Sequence, residues 1–256
     1  MTVDGKQINI LDLPSRGRTY PTDIEIYVKP MTAKEEMATS LSRFGSTKAS
    51  YYDSLLESIL IKGNFSKKKL LFGDIQFIDL VRRLFTFELE EQIEIKSAEC
   101  IHCGEPIKVS FMFANDGKCK NFVEFEEFKD DAFNKEYVFS DGLKVEVSPI
   151  TMDRFIKISR KYLSNIKNAE DMTDYLFAYR AASIVKAEDK YFESEDSMMT
   201  FFMKYFSELY KYKDLQLLTK LDEDMAVLVK PFKIECEQCS QITEVGIEPS
   251  MRFHQE

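Results

Sequence analysis

Two Cys-x-x-Cys pairs, Cys100-Ile101-His102-Cys103 and Cys236-Glu237-Gln238-Cys239, limit the folds open to this chain more than any other feature. Each lies between short strand-like stretches: Glu91 to Lys96 and Ile107 to Phe113 around the first, Ala226 to Val229 and Ile242 to Ile247 around the second. Each pair therefore reads as the tip of a β-hairpin. Such a tip turns both thiolates and nearby N–H groups toward one point, and Gly104, directly after Cys103, relieves crowding at the turn. Two tips facing each other would supply Cys100, Cys103, Cys236 and Cys239 as the ligands of one closed, structural zinc site per chain. That site would add folding free energy directly and would clasp the two ends of a stretch of more than a hundred residues. Ordinary four-cysteine ribbons have much shorter separations between pairs. Two other readings stay open: unmetallated thiols on separate hairpins, and ligand sets that draw on Cys119, His102 or His254. A thioredoxin-like redox pair is disfavoured, since that motif belongs ahead of a helix.

Composition narrows the function classes. A chain of 256 residues can bury a sizeable core as one large or two small domains. A net charge of -9 opposes general nucleic-acid binding, which needs clustered Lys and Arg. The one basic cluster, Lys67-Lys68-Lys69, reads as a solvated loop face. No apolar run approaches the roughly 18 to 20 residues needed to cross a bilayer, and Met1 to Lys6 lacks the features of a secretory signal. Five cysteines, an odd number, suit a reducing compartment, so a cytoplasmic address is expected. With two histidines and no Gly-rich phosphate loop, no catalytic constellation can be assembled and no enzyme is expected.

Read in order, the chain predicts an α+β fold of two internally related lobes, each with strands, a helical insert and a Cys-x-x-Cys hairpin. Residues 1–22, with Leu13-Pro14-Ser15-Arg16-Gly17 and Tyr20-Pro21, read as an extended N-terminal arm. Residues 23–114 form the first lobe. An alternating strand Asp23 to Pro30 leads to a helix capped by Thr32 and Glu35 and stopped at Gly45. A second helix runs from Ser50 past Leu60 to Gly63, and a third is capped by Asp74. Residues 115–136 read as an acidic connector carrying Phe122, Phe125 and Phe128. Residues 137–256 repeat the plan: a strand Leu143 to Pro149, a helix capped by Thr151, helices from Asp171 to Lys186 and from Ser194 to Tyr212, an acidic turn Asp222-Glu223-Asp224, then the second pair. Strand, Pro-x-Thr, helices, strand, Cys-x-x-Cys, strand thus occurs twice.

Several short motifs in sequence carry a resemblance. Leu13-Pro14-Ser15-x-Gly17, Tyr20-Pro21, Pro30-Met31-Thr32-x-x-Glu35-Glu36, Gly73-Asp74 ahead of a helix with Arg82 and Arg83, and Cys100-x-x-Cys103-Gly104 follow one another. In that order and spacing the chain resembles the T4-type baseplate proteins of contractile-tailed phages, over roughly residues 11–113, with a looser copy in the second half. It departs from the pattern after Arg83, where Leu84-Phe85-Thr86-Phe87 stands in place of a tyrosine-glycine turn. The resemblance implies a non-enzymatic protein of the host cytoplasm during assembly that helps to build, or forms part of, the central hub of the baseplate. Its partners would then be hub and tail proteins. A chaperone that leaves the particle and a subunit that stays in the virion both fit. A zinc-ribbon nucleic-acid or transcription accessory factor is the competing reading.

Overall fold

The structure, a computed structural model, describes residues 5–35, 48–87, 93–111, 125–162, 166, 169–188, 190–225 and 230–245. Alternation of apolar and polar residues sets the first sheet. β1 (Lys6–Ile8) pairs with β2 (Glu25–Val28), which pairs with β3 (Ile59–Lys62), all antiparallel. Ile8, Ile26, Val28 and Ile59 face inward and are buried. In the second half, β6 (Lys135–Val138), β7 (Lys144–Val147) and β8 (Ile184–Ala187) make a second three-stranded antiparallel sheet in the same order. Two hairpins complete the strands: β4 (Ile93–Glu99) with β5 (Pro106–Phe111), and β9 (Phe232–Glu235) with β10 (Ile242–Val245). The long helices among the described residues are α1 (Lys48–Ser58), α2 (Phe72–Phe87), α3 (Met152–Lys161), α4 (Ala169–Ser183), α5 (Glu195–Ser207) and α6 (Tyr212–Met225). The chain is therefore mixed helix and sheet, an α+β protein.

The expected helices through Leu60 and Lys186 stop earlier than the pattern suggested. α1 ends at Ser58 and α4 at Ser183, and each runs straight into the third strand of its sheet. The physical reason is the same at both places. The Ser58 and Ser183 hydroxyls donate to the carbonyls three residues back, Leu55 at 2.6 Å and Arg180 at 2.7 Å. Each serine carbonyl then accepts from a residue just after the central strand: Lys29 N–H at 3.0 Å and Ser148 N–H at 2.8 Å. Ladder bonds to β2 and β7 replace the helical ones, and β-branched Ile59, Ile61, Ile184 and Val185 suit that pleated surface.

The stretch read as an N-terminal arm carries β1 and then a chain of tight turns between Leu13 and Tyr20, with Leu13, Ser15 and Tyr20 all buried. Asp74, expected to cap a helix, instead sits fully buried inside the first turn of α2, with its carboxylate turned to those turns. It accepts from Ser15 N–H at 2.9 Å, Ser15 Oγ at 2.5 Å and the Tyr20 hydroxyl, whose own oxygen accepts from Leu71 N–H at 2.8 Å. Burial pushes the Asp74 carboxyl up to about 6, against its three donors. The second half uses the same device. Asp214, in the first turn of α6 and 2 % exposed, accepts from Ser140 N–H at 2.8 Å and Ser140 Oγ at 2.6 Å. Ser15 lies between β1 and β2, Ser140 between β6 and β7. Both begin a Ser-x-Gly turn whose glycine has positive φ, 70° at Gly17 and 91° at Gly142.

The capping box of Thr32 and Glu35 is present in both directions, with Thr32 N–H donating to Glu35 Oε2 at 2.8 Å and Glu35 N–H to Thr32 Oγ1 at 3.3 Å. Thr151 stands at the N-cap of α3 without a side-chain capping bond. The acidic turn expected at Asp222 to Asp224 is the last turn of α6. Leu218, Leu221 and Met225 give that helix its inner face, and buried Asp224 takes Lys129, Lys135 and the Tyr137 hydroxyl. The strand expected at Ala226 to Val229 and the stop at Gly45 lie outside the described residues.

Buried residues of both halves join in one hydrophobic cluster from Ile8 to Met225. Its seam is aromatic: Phe72 of α2 stacks on Phe155 of α3 with ring centroids 3.7 Å apart, and Tyr52 of α1 meets both edge-on. Beside it the backbones cross-bond, Phe72 N–H to Ile150 O and Met152 N–H to Leu70 O, each at 2.8 Å. The connector is strapped to the first half by Phe128 N–H to Pro14 O at 3.0 Å and by ion pairs Arg16–Glu127 and Arg18–Asp130.

Candidate metal centre

Each hairpin tip is built by the same two backbone bonds. In the first, Cys100 N–H donates to Glu105 O and Gly104 N–H to Cys100 O, both at 2.8 Å. In the second, Cys236 N–H donates to Gln241 O and Ser240 N–H to Cys236 O, both at 2.9 Å. The residue after the second cysteine must turn through the left-handed region, with φ 77° at Gly104 and 56° at Ser240. Glycine enters that region freely, whereas serine does so at a cost of about 1–2 kcal/mol. These bonds curl both sulfurs of each pair over the tip.

The two tips meet. Cys100 Sγ lies 3.6 Å from Cys239 Sγ, Cys103 Sγ lies 3.7 Å from Cys236 Sγ, and all four sulfurs fall within 4.8 Å of one another. All four are free thiols, well beyond the length of a disulfide. Four sulfurs held tetrahedrally about 2.3 Å from a central zinc would be spaced by about 3.8 Å, so the observed edges match that quartet. Cys100 and Cys236 are buried, Cys103 is exposed and Cys239 half-buried. Thr243 Oγ1, itself buried, donates to Cys100 Sγ at 3.4 Å, and His102 Nε2 lies 3.3 Å from Ile242 O. These contacts cross from one hairpin to the other.

Electrostatics favour a cation at this point. The Thr243 hydroxyl and the N–H groups of His102 and Cys103 pull the Cys100 thiol down to about 6. The Glu105 N–H lowers Cys103 as well, but desolvation and the three neighbouring sulfurs push it up to about 12; against the Gln241 N–H and the Cys103 sulfur, Cys239 is raised by desolvation and by the Cys100 and Cys236 sulfurs. One thiolate is easily formed, at Cys100, and Cys103 and Cys239 resist joining it. A dication among them removes that repulsion.

The four cysteines singled out in the sequence are thus brought together. His102, a reserve ligand, turns to a backbone carbonyl of the opposite hairpin. Cys119 and His254 lie outside the described residues. Sequence reasoning missed Ser15, Asp74, Ser140 and Asp214 as a repeated pair of contacts. The recurring Ser-x-Gly, matched with Asp in the first turn of a later helix, is the signal that could have found them. No helix among the described residues is long and apolar enough to cross a membrane.

Comparison with known proteins gives one match. A family profile described as T4 bacteriophage base plate protein matches residues 6–253, nearly the whole chain. No curated protein and no solved structure matches it.

Proposed function

Since the chain belongs to the T4 bacteriophage base plate protein family, we propose that it assembles, or forms part of, the central hub of the baseplate through contacts with other hub and tail proteins. The family match over residues 6–253 carries this reading. In it the protein is a non-enzymatic component of the phage tail, made in the host cytoplasm. We propose further that it consists of two related lobes and that zinc, held by Cys100, Cys103, Cys236 and Cys239, staples their hairpins and does no chemistry. Support for the lobes comes from paired features: like-ordered sheets, helices ended by Ser58 and Ser183, aspartates bonded to Ser15 and Ser140, and hairpin tips closed alike. Support for zinc comes from the all-thiolate donor set and its 3.6 and 3.7 Å edges.

Affinity purification of the tagged chain from infected cells tests the hub role. Recovery of baseplate hub proteins is expected, and recovery of nucleic acid or transcription machinery alone would overturn it in favour of an accessory factor. Metal analysis of protein purified without chelator tests the staple. About one zinc per chain is expected, falling in Cys100→Ser and in Cys236→Ser; a metal-free wild-type protein would remove it.

A further inference from the structure

The sulfur quartet pairs crosswise. Two of its sulfur contacts, Cys100 with Cys239 at 3.6 Å and Cys103 with Cys236 at 3.7 Å, join one hairpin to the other. Each also joins a buried sulfur to a more accessible one: Cys100 and Cys236 are buried, while Cys239 is half-buried and Cys103 exposed. We propose that the quartet is a site of oxidative modification by peroxides, at which the metal staple is exchanged for two disulfides, Cys103–Cys236 and Cys100–Cys239, that keep the hairpins joined. This rests on the reading of the quartet as a zinc site.

The chemistry follows from accessibility. Cys103, held as a thiolate by ligation to zinc, attacks hydrogen peroxide: an S–O bond forms, the O–O bond breaks, and hydroxide leaves with the electron pair. The resulting sulfenic acid faces the Cys236 thiolate, which attacks its sulfur. An S–S bond forms, the S–O bond breaks, and a second hydroxide leaves. The two sulfurs together have lost two electrons, and both peroxide oxygens are reduced to the level of water once protonated by solvent. A second peroxide does the same at Cys239, with Cys100 resolving. Zinc, stripped of all four ligands, departs as the free dication. To reach the disulfide length of about 2.05 Å each sulfur needs to move by less than about 1 Å, which side-chain rotation supplies without separating the tips. A protein built in a reducing cell and carried outside it would so exchange a chelatable link for a covalent one.

The zinc-loaded full-length protein provides the test. Zinc is measured first, then a few equivalents of hydrogen peroxide are added, released metal is followed with a chromophoric chelator, and unreduced tryptic peptides are mapped by mass. The first pair lies in peptide Ser97 to Lys108 and the second in Ile234 to Arg252. Linkage of these two peptides to each other, in step with zinc release, is expected. Two separate peptides each closed by its own disulfide, or sulfinic acids without linkage, would overturn the proposal. Absence of zinc before peroxide would instead sink the metal reading, so the two failures are distinguishable. Connectivity is read from reduced double variants. Cys100→Ser with Cys239→Ser retains the Cys103–Cys236 contact and should still link. Cys100→Ser with Cys236→Ser leaves the two accessible sulfurs and should link at least tenfold less. Equal yields would refute crosswise pairing.

Discussion

Replacing Asp74 by alanine removes the acceptor that three buried donors share: Ser15 N–H at 2.9 Å, Ser15 Oγ at 2.5 Å, and the Tyr20 hydroxyl. Hydrogen bonds to a neutral acceptor contribute about 0.5–1.5 kcal/mol each, and a buried donor left without a partner costs about 1–3 kcal/mol. Ser15 Oγ keeps its bond from Gly17 N–H, and Tyr20 still accepts from Leu71 N–H, so the loss is partial at both. A net cost of about 4 kcal/mol is expected where the wild-type carboxyl is protonated. The pH dependence then has a definite sign. Burial raises this carboxyl from 3.8 to about 6 in the fold. Protonation is favoured by folding, so the stability linked to it is full below pH 4 and is lost as pH rises through 6. A rise of roughly two units corresponds to about 3 kcal/mol. The penalty of Asp74→Ala should therefore shrink from about 4 kcal/mol at pH 4.5 toward 1–2 kcal/mol at pH 8. Urea unfolding of wild type and variant at both pH values measures it, and titrations elsewhere cancel in the difference. A penalty below about 1 kcal/mol at pH 4.5 would mean that the contact does not hold the turn to α2. A penalty that grows with pH would mean that the donors outweigh burial.

Other expectations follow from the same geometry. Glu35, with burial opposing it, is held down at about 2 by Arg82, Thr32 and Ser54. Its contribution is present above pH 4.5 and lost as pH falls toward 2, so Glu35→Gln should cost about 2–3 kcal/mol at pH 7 and almost nothing near pH 2 in acid unfolding. Gly104→Ala should weaken zinc binding about fivefold by chelator competition, a purely backbone cost of about 1 kcal/mol, since an added Cβ meets nothing within 4 Å. Ser240→Gly should strengthen binding by a similar factor, because Ser240 holds a positive φ without needing its side chain for the turn. Chelating the metal should leave the far-ultraviolet helical signal nearly unchanged, because none of the four cysteines belongs to the central cluster, and should lower the thermal midpoint, because the bound metal adds folding free energy.

Those expectations rest on features of unequal visibility in the sequence. The first hairpin was legible because period-two stretches bracketed its pair; in the second, the leading strand β9 runs from Phe232 to Glu235, a stretch not read as a strand, and the quartet was legible because Cys-x-x-Cys has few uses. The capping box at Thr32 was legible because it is local. The third strands were not: Ile59 and Ile184 continue an apolar helical face as well as they continue a sheet. What decides between the two is tertiary, the ladder to β2 and β7 and the bonds to Ser58 and Ser183. Asp214 was invisible for a related reason. Its partner Ser140 is 74 residues away, and Lys213 replaces the glycine that draws attention to Asp74. Asp222 to Asp224 misled because three acids in a row read as a turn, whereas they close a helix, with Lys129 and Lys135, from another part of the chain, neutralising the innermost.

The crossing of the hairpins has a consequence in time. Cys103 leaves the ribosome well over a hundred residues before Cys236, on the order of 10 seconds earlier at about 5–20 residues per second. Ser15 and Asp74 can meet during that interval, so the first sheet and α2 can form beside a half-made sulfur site. A chain stalled anywhere before Cys236 leaves Cys100 and Cys103 without the other half of the quartet. Closure of the quartet is therefore a mark that translation has passed Cys239, one that a chain stopped earlier cannot counterfeit.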